Sequence, residues 1–241
     1  MPTNDSIALH GWTSVVRDHQ AILSGKPNIN EPSTLLVNDI TFPSDEVVAK
    51  VRKHAEEKLP APTFNHSMRV FYFATAILDQ QFPDLAKSLS RSTLALTALL
   101  HDIGTTHENL HATQMSFEFY GGFLALDLVG QKLGAPQSQA EAVAEAIIRH
   151  QDLGSTGTIT FLGQLIQLAT VYDNMGDNPG LIHSDTKVDV NKAFPRLGWS
   201  KCFSATIREE VGLKPWAHTT HLGEAFPRGV ENNKLMSEFE N

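Results

Sequence analysis

The sequence predicts an all-α protein: a single helical bundle with an irregular N-terminal arm and C-terminal tail. Three observations predict it. Apolar residues recur at helical spacing through most of residues 44–180. The periodic segments stop at glycine and proline. No segment shows a convincing alternation of period two. At 241 residues one compact domain is sufficient, with a core large enough to need no covalent staples.

Residues 1–43 hold Pro2, Pro27, Pro32 and Pro43 with little periodicity, so they read as an arm with one short helix near Trp12–Leu23. Ser44 then reads as an N-cap, with Asp45 and Glu46 in the first turn, where the helix dipole favours them. Val47, Val48, Val51, Ala55 and Leu59 follow at helical spacing, and Pro60 and Pro62 end that helix. A second helix is predicted over 63–80, with Val70, Phe71, Ala74, Ile77 and Leu78 on its buried face. A third, over 84–100, is apolar nearly all round in its second half, which places it at the centre of the core. Gly104 breaks the pattern, and helix resumes over 112–133 until Gly134 and Pro136. Ser138 and Glu141 form a capping-box pattern for a helix over 138–150. After a loop at Gly154 and Gly157, one more helix spans 161–174 and closes at Gly176. The tail reads as irregular apart from a helix over 200–211. The organisation expected is an arm (1–43), a helical metal-binding core (44–180) and an extension packed on it (181–241).

Composition excludes several classes. Lys plus Arg is 19 against 27 for Asp plus Glu, a net charge of −8. Nucleic acid and anionic membranes need the opposite sign. The one cysteine, Cys202, excludes a disulfide framework and a cysteine-built zinc finger. No apolar stretch approaches the ~20 residues of a membrane helix, and the first ten residues lack the pattern of a secretory signal. The expectation is a soluble cytoplasmic protein.

The chemistry should lie in polar residues set inside apolar helices. His66, His101, Asp102 and Asp173 each stand at the edge of such a helix. Buried charges are costly unless paired or bound to a metal. Two imidazoles and two carboxylates suit one divalent cation, with ligands drawn from three helices. Each residue taken alone also has a plainer reading, such as a turn aspartate at a helix end.

The segments "NHSMRV", "LLHDIGT" and "LATVYDN" give the pattern His…His-Asp…Asp. This resembles the HD superfamily of metal-dependent hydrolases over about residues 45–180. "LLHDIGTT", "MSFEFYGGFLALD", "AIIRHQDLG" and the C-terminal "HTTHLGEAFPRGVENNKLM" are similar, within it, to the fungal cyanamide hydratase family. The resemblance implies a helical bundle holding one divalent metal, zinc first and iron or manganese as alternatives. It implies a hydro-lyase in which metal-activated hydroxide adds to the nitrile carbon of cyanamide to give urea. His150 and Glu118 are the candidate proton donors, and Asp102 could double as ligand and proton acceptor. Related two-metal enzymes carry histidines in both of the segments holding Glu118 and His150, so one metal is expected here. Thr105, Phe117 and Tyr172 are candidate substrate contacts, and Phe226 and Pro227 candidate lid contacts. Many HD phosphohydrolases carry a lysine where this chain has Thr105, which favours a small neutral substrate over a phosphate. A homo-oligomer is expected.

The alternative is an HD nucleotidase or phosphodiesterase, for which Arg69 and Arg149 would be the cations. Plainer roles are also open: Glu118 in a buried ion pair with Arg149 or Arg69, His150 as a helix cap, Thr105 as a loop residue. "HENLH", from His107 to His111, matches the His-Glu-x-x-His zinc motif but shows no clear third ligand. A metalloprotease is therefore disfavoured.

Overall fold

The computed structural model describes residues 4–240, and among them are thirteen α-helices and one two-stranded sheet. The arm is more regular than the sequence predicts. Helix α1 (Asn4–Leu9) leads into strand β1 (Ser14–Val16), and a short α2 (His19–Ile22) follows. Strand β1 pairs antiparallel with β2 (Thr158–Thr160), setting Ser14 opposite Thr160 and Val16 opposite Thr158. Arg17 also reaches Asp152 at 2.8 Å. The expectation of a strand-free chain is thus corrected, and the short helix expected near 12–23 is confined to His19–Ile22. Three-residue strands are too short for a period of two to show, and their partners are far apart in the chain.

Helix α3 (Glu46–Lys58) takes Asp45 rather than Ser44 as its N-cap, the carboxylate accepting from Val48 N. Pro60 and Pro62 separate it from α4 (Ala61–Gln81) and also open that helix, because a first turn needs no N–H donors. The helix expected over 84–100 is two. Short α5 (Pro83–Ala86) precedes α6 (Arg91–Leu100), which restarts at Ser90, whose hydroxyl caps Thr93 N. Thr93 to Leu100 are all buried, as the all-round apolar pattern implies.

The helix expected over 112–133 is likewise divided. It becomes α7 (His107–Ala112), α8 (Phe117–Leu126) and a π-helical turn over Asp127–Lys132. Helix α9 (Gln137–Ile148) is capped by Pro136. The Ser138 capping box does not form; the Ser138 hydroxyl instead accepts from the indole of Trp12 at 3.1 Å. Helix α10 (Phe161–Met175) is capped by Thr160 and stopped by Gly176 at φ 74°. The tail contains α11 (Ser184–Ala193), α12 (Trp199–Leu213) and α13 (Ala225–Glu231). Helices α11 and α13 escape the sequence reading because one is mostly polar and the other is seven residues long.

Two apolar clusters result. The larger is built from α3, α4, α6, α9 and α10. The smaller comprises Leu110, Phe117, Trp199, Phe203, Ile207, Phe226 and Val230, with five of the seven from the tail helices. The His-Asp pair follows α6 at the seam between them. Two glycines set that seam. A Cβ on Gly104 would meet Phe117 O at 2.1 Å, so only glycine lets the turn after Asp102 lie against α8. A Cβ on Gly122 would meet the Ile148 side chain at 2.4 Å, so α8 and α9 pack closely there. No helix among the described residues is long and apolar enough to cross a membrane.

Candidate metal centre

His66 stands in the second turn of α4, and His101 and Asp102 follow the last turn of α6. All three are at most 1% exposed. His66 Nε2 lies 3.2 Å from His101 Nε2 and 3.6 Å from Asp102 Oδ2, and His101 Nε2 lies 3.2 Å from that same oxygen. The rings are held by their other nitrogens. His66 Nδ1 donates to Asp173 Oδ2 at 2.6 Å, and His101 Nδ1 donates to Ala98 O at 2.8 Å. A carboxylate and a carbonyl can only accept, so both Nδ1 atoms carry the proton. The two Nε2 atoms therefore face one another with each Nδ1 already protonated.

Asp102 adds to this concentration of acceptors. Neither of its carboxylate oxygens has a hydrogen-bond partner, although both are buried. The 3.2 Å contact from His101 Nε2 is off the hydrogen-bond direction. Three electron-rich atoms converge where only a proton or a metal ion can join them. In the metal-free protein burial opposes a charge on His101, but the contacts to Asp102, Ala98 O and Asp173 together outweigh it and raise the His101 pKa. Burial would raise the Asp102 pKa, but His101 and then His66 hold it well below the carboxylate range. Burial lowers His66 to about 4 in spite of Asp173. Two ring nitrogens and a carboxylate oxygen, all within 4.8 Å of one another, fit a divalent metal.

Asp173 sits differently. It is buried at the C-terminal end of α10, on the far nitrogen of His66, and is not one of the three converging groups. Arg69 grips it through Nε at 2.9 Å and Nη2 at 2.8 Å, and Arg196 Nη1 reaches Oδ1 at 2.8 Å. Burial opposes its ionisation, yet the two guanidiniums and His66 hold its pKa well below normal. The four-ligand set expected from sequence is thus arranged as three converging groups and one carboxylate that fixes the His66 ring. The sequence gives no cue for Arg196, which arrives from the loop before α12.

His150 follows α9. Its Nδ1 donates to Ile147 O at 2.7 Å, and its Nε2 stands 3.7 Å from Asp102 Oδ1. Burial, then the His101 charge, lowers its pKa. His101, Asp102 and His150 line a cavity with Gln151, Leu153, Thr170, Val171, Asn174 and Phe226. The cavity measures about 10 Å³, roughly what one water molecule occupies. Thr170 and Asn174 are one turn apart on α10, so a helical wheel through that segment would have found them. Gln151 Oε1 is buried without a partner.

Other expected contacts fall elsewhere. Thr105 donates its hydroxyl to Asp102 O at 2.7 Å and closes the turn. Tyr172 points into the main core, its ring 5.0 Å from that of Phe73, because it is about 100° round α10 from Asp173. Phe117 packs edge-on to His150 at 5.6 Å without lining the cavity. Glu118 pairs with neither arginine: its Oε1 meets His218 Nδ1 at 2.9 Å, and its Oε2 is buried and unpartnered. Arg149 is bonded to Asp152 and to Thr158 O. Of the two lid candidates, Phe226 lines the cavity, whereas Pro227 lines a separate groove with Ile207 and Val211. His66 is roofed by Trp199, stacked at 4.2 Å, and then by Phe203.

The HD domain family matches residues 63–175, the span that holds His66, His101, Asp102, His150 and Asp173. Two relatives from Saccharomyces cerevisiae, cyanamide hydratase DDI2 and cyanamide hydratase DDI3, are each 45% identical to this chain over 221 residues. The matches cover 92% of this chain and 95% of each relative, so they take in the arm and the tail helices as well as the core. A seam of converging histidine nitrogens, the sequence pattern that places it and this full-length likeness agree: the chain belongs to the HD-domain family of these hydratases.

Proposed function

We propose that this protein is a cyanamide hydratase that adds water across the carbon–nitrogen triple bond of cyanamide to give urea. The observation that carries the reading is the cavity. It has room for about one water molecule before it opens, and no lysine or arginine lines it. Arg69 and Arg196 are engaged by Asp173, and Arg149 by Asp152. A phosphate ester would find no free cation, so the charge of the lining does not favour the phosphohydrolase alternative. A small neutral nitrile needs no cation and only a small widening of the cavity.

His66, His101 and Asp102 would hold the metal, and Asp173 would orient His66 rather than bind it. A bound divalent cation there supplies a positive charge that acidifies a water molecule and polarises a nitrile. The remaining work falls to the chain. His150, neutral because burial disfavours its imidazolium, offers Nε2 to accept a proton from the attacking water. As oxygen bonds to the nitrile carbon, the same Nε2 returns that proton to the nitrile nitrogen. The product is isourea, which tautomerises to urea. Gln151 Oε1, an acceptor lacking a partner, suits the amino group of the substrate. Glu118 is too engaged with His218 to be the first choice as donor. Phe226 would have to swing aside to admit substrate. The core (44–180) would thus carry the ligands, and the extension (181–241) their cover.

The same reading makes zinc the resident ion, because two imidazoles and one carboxylate match its preferences. It also keeps the protein in the cytoplasm as a homo-oligomer without nucleic-acid or membrane partners. Leu213 and Trp216, exposed on one shallow surface, support self-association. The test is urea release from cyanamide, assayed beside a panel of nucleotides and cyclic nucleotides. Urea formation that vanishes in His101→Ala supports the reading. Phosphate release with no urea overturns it.

A further inference from the structure

A second cluster of ligating side chains lies outside this centre. His107 and His111 stand one turn apart on α7, and Glu209 faces them from α12. His111 Nε2 is 3.0 Å from Glu209 Oε1, and His107 Nδ1 is 3.5 Å from the same oxygen. The two imidazole rings are 4.3 Å apart. All three residues are exposed, and their ligating atoms lie within 4.8 Å of one another.

We propose that His107, His111 and Glu209 form a second divalent-metal site, which takes a transition cation such as zinc and clips α7 to α12. Ligands bonded to one tetrahedral ion at 2.0–2.1 Å stand about 3.3 Å apart, and the two contacts to Glu209 bracket that distance. Histidines at i and i+4 project from the same helix face, so little rearrangement is needed. Two nitrogen donors select zinc, nickel or copper over calcium or magnesium. Glu209 is free to take part. Its neighbour Arg208 is held by Glu224 and Glu231, and among the described residues no lysine or arginine pairs with Glu209. The ligand missing from the "HENLH" motif thus comes from a helix almost a hundred residues later. The site lies on the open surface, with His107 lining one surface groove and His111 another.

Its position gives the site a consequence. Helix α7 follows directly from the His-Asp turn, and Asn109 on it donates to Ile103 O at 2.7 Å. Helix α12 supplies Trp199 and Phe203, which cover His66. An ion joining the two helices would brace the walls of the buried centre from outside while leaving its ligands untouched.

The experiment compares the purified holoprotein with its His107→Ala/His111→Ala double variant. Each is dialysed against micromolar zinc chloride, its bound zinc counted by elemental analysis and its melting followed. The wild type should hold one more zinc per chain than the double variant and should melt higher in zinc than without it. The variant should keep its first metal, its basal activity and an unshifted melting curve. Glu209→Gln should weaken the added zinc by at least about tenfold. Equal zinc counts in wild type and double variant would overturn the site. Unchanged affinity in Glu209→Gln would overturn its three-ligand form.

Discussion

Two buried aspartates flank His66, and the structure treats them in opposite ways. Asp173 lies on the Nδ1 side, where two arginines and the ring N–H satisfy both of its oxygens. Asp102 lies on the Nε2 side, where neither oxygen has a hydrogen bond and no arginine or lysine is paired with it. Both residues are at most 1% exposed, so burial does not separate them. The difference lies in where the balancing charge comes from. The protein supplies it at Asp173 from Arg69 and Arg196. At Asp102 no side chain supplies it by a hydrogen bond, which leaves a proton or, in the function proposed above, a metal ion to do so. One histidine serves both, held by the first aspartate and offered to the second.

The largest expected effect tests the outward-facing side. Asp102→Ala should abolish metal binding and reduce urea formation to background. Its stability should fall below that of the chelated wild type by no more than the lost attraction between Asp102 and His101, because the carboxylate has no native hydrogen bond to lose. Elemental analysis, an activity assay and a melting curve check the three parts. Full activity in the folded variant would break the comparison.

Asp173→Ala should show the opposite balance. Removing one partner of a buried ion pair costs about 3–5 kcal/mol, and here two guanidiniums are left behind. For a chain of this size each kcal/mol is worth about 2–4 °C in melting temperature, so a fall of roughly 6–20 °C is expected. Asp173→Asn, which keeps an acceptor for the arginines, should recover part of that loss and still bind metal more weakly than wild type. If Asp173→Asn loses all metal without losing stability, Asp173 is a fourth ligand and the two aspartates do the same work.

This contrast marks what the sequence could convey. The helical period and the glycine and proline stops place α3, α4, α9 and α10 within a few residues, and α6 at its C-terminal end only, because the burial of those helices is strongly patterned. His66, His101 and Asp102 were legible for the same reason: each is a polar residue at the edge of an apolar helix. The partition of roles between Asp102 and Asp173 was not legible. It depends on Arg196, a residue whose neighbours carry no helical pattern, and on ring orientations set by the carbonyl of Ala98 and the carboxylate of Asp173. Tyr172 and Thr105 lie outside the cavity lining because adjacency in sequence is not adjacency in space. A neighbour on α10 faces another way, and a hydroxyl just after a turn is captured by the backbone. Strands β1 and β2 escape because three-residue signals fall below the reach of periodicity, and α11 and α13 because one is mostly polar and the other is seven residues long.

His150 sharpens the comparison on the catalytic side. His150→Ala should lower kcat by about 100- to 10,000-fold, the usual range for a proton-transfer group, while metal content stays near wild type. Burial places its pKa below 6.5, so the base form is already present at neutral pH. Activity should therefore hold as pH falls to 6.5 and decline only below it. A decline centred above pH 6.5 would assign the proton transfer to another group.

The smallest effect concerns the turn between the two helices. Thr105 holds Asp102 in place through its backbone rather than its charge, by a 2.7 Å bond to the Asp102 carbonyl. Thr105→Val keeps the volume and removes that bond, which should cost about 1 kcal/mol of stability, or a few degrees. If the hydroxyl serves only the turn, KM for cyanamide should not change, and kcat should fall only as far as Asp102 is displaced. A rise in KM at unchanged stability would return Thr105 to the substrate pocket. It would also mean that the cavity extends past Asp102 toward Gly104. A Cβ at Gly104 would meet Phe117 O at 2.1 Å, so a cavity reaching that far would require α8 to move away from the turn.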